Sequence, residues 1–168
     1  DLDGVSGSYA SVPDPLGSLG DFTLQFDGLS PETVRPAGSV SLFGQYGDAN
    51  VDRSFLVRAN VGGTIQVYLL TQVGGIVNYT SSAIPANTVG LRITRVGTTL
   101  TWWADTGSGY ASHDTAPVNG DVLKDVNYPI LIGKHGASGT PLTGTISRGQ
   151  VWNNGTATGT AVLDVDFR

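Results

Sequence analysis

The sequence predicts an all-β protein, a sandwich of two antiparallel sheets, and three observations carry the prediction. About a dozen short segments of alternating apolar and polar residues follow one another along the 168-residue chain. Gly (24) and Pro (8) are spread singly between these segments and read as turns rather than as a disordered tract. Charged residues make up only 14% of the chain, with Glu32, Lys124 and Lys134 the sole Glu and Lys. Exposed helix faces are built from Glu and Lys, whereas Thr, Val and aromatic residues suit a pleated surface.

Taken in order, Phe22, Leu24 and Phe26 alternate with Thr23 and Gln25, and Val40 and Leu42 alternate with Ser41 and Phe43. Phe55, Val57 and Ala59 share one face of the next strand, with Leu56 and Arg58 opposite. Gly62-Gly63 then predicts a two-residue hairpin loop, where positive φ costs nothing. Ile65, Val67 and Leu69 follow, alternating with Gln66, Tyr68 and Leu70, and a Gly74-Gly75 turn leads into 76–81. Residues 89–96 and 98–105 predict a second tight hairpin around Gly97, followed by a long loop over 106–128. Strands are expected at 130–133, at 143–152 and from Ala161 to the end, where Ala161, Leu163, Val165 and Phe167 alternate with Val162, Asp164 and Asp166. The apolar phase slips between Ile146 and Val151, which predicts a β-bulge at Gly149. Connections this short rule out βαβ crossovers. Residues 9–168 read as one domain and residues 1–8 as a lead-in.

Composition excludes several partners. A net charge of −5 leaves no basic stripe for nucleic acid, and no apolar run is long enough for membrane insertion. There is no Cys for a disulfide or thiolate site, and no Met, even at position 1, which predicts a chain excised from a longer one. No nucleophile elbow, zinc-protease, phosphate-loop or dinucleotide motif is present. His113 and His135 fall in loop-like segments and read as solvent-facing. Asp164 and Asp166 share a strand face at a spacing glycoside hydrolysis could use, but a solvated outer face is the default for a terminal strand. Asp48, Asn50 and Asp52 place hard oxygen ligands at i, i+2 and i+4 in a turn. They are the candidate ligands for a structural Ca2+, with a plain polar turn the alternative. No other cofactor is required. Asn78-Tyr79-Thr80 and Asn154-Gly155-Thr156 match the glycosylation acceptor pattern, which matters only in a eukaryotic secretory setting.

The candidate ligand site comes from phase. Trp102 and Trp103 are neighbours in a strand, so they point to opposite faces. Trp102 shares the phase of Leu100 and Ala104 and belongs to the core, while Trp103 faces outward with Thr101 and Asp105. The same logic turns Tyr68, Arg58 and Arg92 outward. An outer face carrying aromatic rings, guanidinium groups and amides has the chemistry of saccharide recognition, since rings stack on a sugar's C–H face and planar polar groups take its hydroxyls. Cross-strand packing without a ligand is the competing reading. Tyr110 and His113, from the long loop, complete the candidate set.

Three stretches carry a family resemblance. Tyr9-Ala10-Ser11-Val12-Pro13-Asp14 followed by Gly20-Asp21-Phe22-Thr23-Leu24 resembles the opening of concanavalin A-like lectin/glucanase domains of the laminin G-like type. The stretch from Val89-Gly90-Leu91-Arg92 to Thr99-Leu100, with Leu131-Ile132-Gly133, resembles their central strands. Gly144-Thr145-Ile146-Ser147-Arg148 through Val151-Trp152-Asn153-Asn154-Gly155 to Leu163-Asp164-Val165-Asp166-Phe167 is similar to their close, and to domains of phage structural and tail-associated proteins. The resemblance implies a jelly roll with first and last strands side by side. It implies a non-catalytic module on a virion or cell surface that binds a glycan or surface polysaccharide. A structural domain contacting copies of itself or virion proteins is the alternative. The family's hydrolytic branch carries a Glu-x-Asp-x-x-Glu motif, which a chain with one Glu cannot supply.

Overall fold

The computed structural model describes residues 9–14, 16–47, 52–134, 142 and 144–167. In chain order the strands are β1 (Ala10–Val12), β2 (Phe22–Asp27), β3 (Val40–Tyr46), β4 (Arg53–Ala59), β5 (Thr64–Leu70), β6 (Ile76–Ala83), β7 (Gly90–Val96), β8 (Thr99–Asp105), β9 (Tyr110–Pro117), β10 (Ile130–Ile132), β11 (Arg148–Trp152) and β12 (Leu163–Asp166). They form two six-stranded antiparallel sheets, the first ordered β1-β10-β3-β4-β5-β6 and the second β12-β11-β2-β7-β8-β9. The chain changes sheet after β1, β2, β6, β9 and β10, and these crossings make the sandwich a jelly roll.

Period-two hydrophobicity builds the core. Phe22, Leu24 and Phe26 from the second sheet meet Phe43, Phe55, Val57, Val67 and Leu69 from the first. The Phe26 and Phe43 rings meet edge to face at 5.4 Å, and Phe43 and Phe55 at 5.9 Å. Each such side chain contributes roughly 1.5–3 kcal/mol by leaving water. Trp102 is fully buried among them, as its phase requires. Because these inner faces are pressed together, the two outer faces look in opposite directions.

Four expectations need correction. The region 106–128 holds a whole strand, β9, paired along its length with β8. Its small and polar residues hide it from a hydrophobicity reading. β11 has no bulge at Gly149: it pairs in unbroken register with β2 and β12. Ile146 precedes β11 and enters the core from the loop, so the apolar slip is a loop effect. The β4–β5 turn spans Asn60–Gly63, with Gly62 and Gly63 both at positive φ (85° and 87°). First and last strands are not neighbours, since β1 lies beside β10 and β12 beside β11 in different sheets. A one-turn helix, α1 (Pro31–Val34), interrupts the β2–β3 crossing, with Pro at its start where the missing N–H costs nothing.

The two sheets are also fastened at their edges. On β6 the Ser82 backbone N–H donates to Asp114 Oδ2 of β9 at 2.6 Å, and Ser82 Oγ lies 3.1 Å from His113 Nε2.

Candidate functional site

The register of the second sheet lines its outward side chains into rows. One row reads Asp164, Gln150, Gln25, Arg92, Trp103 and Ser112, from β12 across to β9. The next reads Asp166, Arg148, Asp27, Gly90, Asp105 and Tyr110. Hydrogen bonds hold both in place. The Trp103 indole N–H donates to Thr94 Oγ1 at 3.0 Å, which fixes the ring's orientation. Arg92 Nε donates to Gln25 Oε1 at 2.9 Å, and Gln25 Nε2 donates to Asp27 Oδ2 at 2.9 Å. The Arg92 guanidinium lies 4.1 Å from the Tyr110 ring centroid, so that ring face is covered. Trp103, partly exposed, keeps an indole in the row beside Arg92.

Electrostatics follow from these contacts. Burial, then the hydrogen bond to Asp27, pushes the Tyr110 phenol far above its ordinary range, so it stays a neutral donor. Arg148 donates twice to Asp164, from Nε at 2.8 Å and Nη2 at 2.5 Å, and Gln150 Nε2 adds a third bond at 3.0 Å. These bonds hold the Asp164 carboxyl below the usual carboxylate range. A carboxyl held that way is a poor proton donor. A cleft of about 270 Å³ opens at the margin of this face between Asp27, Gly28, Ser147 and Arg148.

The outer face of the first sheet is separate. Tyr68 and Arg58 stand here, so the expectation of one surface holding Tyr68, Arg58, Trp103 and Arg92 is corrected. Phase gives the direction a side chain faces but not the sheet its strand joins. Arg58 Nη1 is 3.5 Å from the Tyr68 hydroxyl, which donates to Gln66 Oε1 at 2.8 Å. The Tyr68 ring packs 6.0 Å from Tyr46, and the Arg53 guanidinium lies 4.7 Å over Tyr46. Leu56 and Leu131 flank Gly44 on this face and are 2% and 6% exposed, although neither joins the inter-sheet core.

The remaining expected residues divide as follows. Tyr110 joins Arg92 and Trp103, but from strand β9 rather than from a loop. His113 sits at the β9 irregularity and faces Ser82, not the Trp103 row. The Asp114 carboxylate accepts the backbone N–H groups of Ser82 and Thr115, and among the described residues the hydrogen-bond partner of the His113 ring is the Ser82 hydroxyl. Asp48, Asn50 and His135 lie outside the described residues, as do residues 1–8. Asp52 immediately precedes β4, and its carbonyl accepts from the Gly47 N–H at 2.8 Å. Among the described residues, no group of three or more His, Cys, Asp or Glu comes together as a metal site.

Sequence reasoning missed Gln25, Asp27 and Gln150, although the phase of Phe22, Leu24 and Phe26 already turned Gln25 and Asp27 outward. It also missed Arg95, which is 1% exposed. Arg95 Nη2 donates to the Gly120 carbonyl at 2.7 Å and ties the β9–β10 connection to the end of β7. Its phase, shared with Leu91 and Ile93 and opposite to that of Arg92, is the signal that turns it inward.

No protein-family model and no curated protein sequence matches the chain. Solved structures do. A heptameric SAP-like pentraxin from Limulus polyphemus superposes with a TM-score of 0.58 at 13% identity, covering 93% of this chain and 76% of that one. The CBM40 module of the Ruminococcus gnavus IT-sialidase, bound to α2,3-sialyllactose, gives 0.59 at 16% identity, with 92% of each chain covered. Mouse laminin α1 domains LG4-5 give 0.54 at 14% identity, covering 94% of this chain and 44% of that chain. Likeness at such identity establishes the fold, and the fold is concanavalin A-like.

Proposed function

We propose that this domain is a non-catalytic carbohydrate-binding module whose contact surface is the outer face of the second sheet. One observation carries the reading: Gln150, Gln25, Arg92 and Trp103 stand side by side in one register row, with Arg92 fixed to Gln25 and Trp103 fixed to Thr94. Trp103 is the platform for a sugar's C–H face, and the fixed amides and guanidinium present planar donors and acceptors to hydroxyls. Side chains already held in place lose little freedom on binding. The sialyllactose-bound CBM40 neighbour supports a glycan as the ligand class, and Arg148's hold on Asp164 supports binding without turnover. We place the module on a virion or cell surface, in line with its resemblance to domains of phage structural and tail-associated proteins.

A glycan array of neutral oligosaccharides tests the site, using wild type, Trp103→Ala and Gln25→Ala. Wild type should bind a defined set of glycans, and both variants should lose it. A wild type that binds nothing, or a Trp103→Ala variant that binds normally, would rule this surface out.

The second reading is a structural domain contacting copies of itself or a virion lattice. The low charged fraction, 14%, favours it, because interface cores are depleted in charge. Sedimentation of the isolated domain tests the self-association form of this reading, since self-assembly requires species larger than a monomer.

A further inference from the structure

We propose that the outer face of the first sheet is a second, independent binding site, where Arg58 takes the carboxylate of an acidic sugar. This goes beyond the reading above: it concerns the opposite surface and a different ligand charge.

The argument starts from where the charges lie. No strand of the first sheet contains Asp or Glu. Asp27, Asp105, Asp114, Asp164 and Asp166 all belong to second-sheet strands. In a chain of net charge −5, the first sheet therefore carries cations, Arg53 and Arg58, with no acid on any of its strands. That arrangement attracts an anion to one surface of an acidic protein.

Arg58 is also incompletely satisfied. Its Nε is buried and has no hydrogen-bond partner among the described residues. Its recorded bond, Nη1 to the Tyr68 hydroxyl, is at the 3.5 Å limit. No carboxylate among the described residues pairs with it. With Nε closed off from the surface, the Nη groups are the ones a ligand meets, and a carboxylate can accept from both in two parallel bonds.

The surroundings define the rest of the ligand. Tyr68 is held by its bond to Gln66, so its ring is a fixed, partly exposed platform beside the guanidinium. Tyr46 extends the aromatic surface, and Leu56 supplies an apolar floor opposite Gly44. A ring with one apolar face and one carboxylate fits this pattern. A neutral sugar would leave the guanidinium unpaired.

The test is titration calorimetry with oligogalacturonate and hyaluronan oligosaccharides, with their neutral methyl esters as controls. Wild type should bind an acidic form, release it as salt is raised, and ignore the ester. Arg58→Gln should weaken binding by roughly tenfold or more while unfolding at the wild-type temperature. Arg58→Lys should fall between, because an ammonium keeps the charge without the fork. Trp103→Ala should bind the acidic probe normally, so the two sites succeed or fail separately. Equal binding of ester and acid, wild-type affinity in Arg58→Gln, loss of the acidic probe in Trp103→Ala, or no binding of either acid would each overturn the proposal.

Discussion

The Tyr110 hydroxyl donates a 2.5 Å hydrogen bond to Asp27 Oδ1, although β7 and β8 separate their strands. Gly90 makes the reach possible. It stands between them in the register row, and a Cβ there would lie 2.7 Å from the hydroxyl and 3.2 Å from Asp105 Cβ. Gly90→Ala should therefore displace the ring, break the bond and cost about 1–3 kcal/mol of stability. Urea unfolding measures this, and an unchanged midpoint would show that the ring moves aside without loss.

The same contact governs alkaline behaviour. Above pH 10, the ordinary phenol value, Tyr110 ionises in the unfolded chain but stays protonated in the folded one. Its contribution is complete below that pH and is lost as pH rises beyond it. Ultraviolet difference titration of wild type against Tyr110→Phe should find no Tyr110 signal until the fold is lost, and the variant should flatten the decline in stability.

At acid pH the sign reverses. Asp164, bonded to Arg148, and Asp114, bonded to the Ser82 and Thr115 backbone, are both held below their ordinary value of 3.8. Their contribution is present above that pH and disappears as pH falls through their lowered folded-state values. Both are solvent-screened, so each effect is small. Asp164→Asn should make the melting temperature less dependent on pH below 4, with little change at pH 7.

Leu56 should behave as a core residue despite its outward phase. It is 2% exposed, so Leu56→Ala should cost about 2–5 kcal/mol, the range of interior truncations. A loss below about 1 kcal/mol in chemical denaturation would mean that water reaches it freely.

Alternation made the sandwich legible from the sequence, and adjacency split Trp102 from Trp103. What stayed hidden was the assignment of strands to sheets. Tyr68 and Trp103 each announce an outward position, but their separation by the whole core follows from crossings that depend on long-range packing. β9 was invisible because Tyr110–Pro117 is an edge strand whose small and polar residues bury little surface. Arg95 shares the inward phase of Leu91 and Ile93, and its charge is tolerated there because the guanidinium finds a carbonyl at the sandwich end, where the inner face runs out. The register shifts at Ser41/Phe43 and Gln45/Tyr46 carry no turn residue that would mark them, and they set the side on which Tyr46 emerges.

The back-to-back disposition of the Trp103 and Tyr68 surfaces has a geometric result. A single polymer chain cannot lie against both at once without wrapping around an edge of the domain. Occupants on opposite sides do not collide, so one copy could tether two separate strands and act as a cross-link rather than as a clamp.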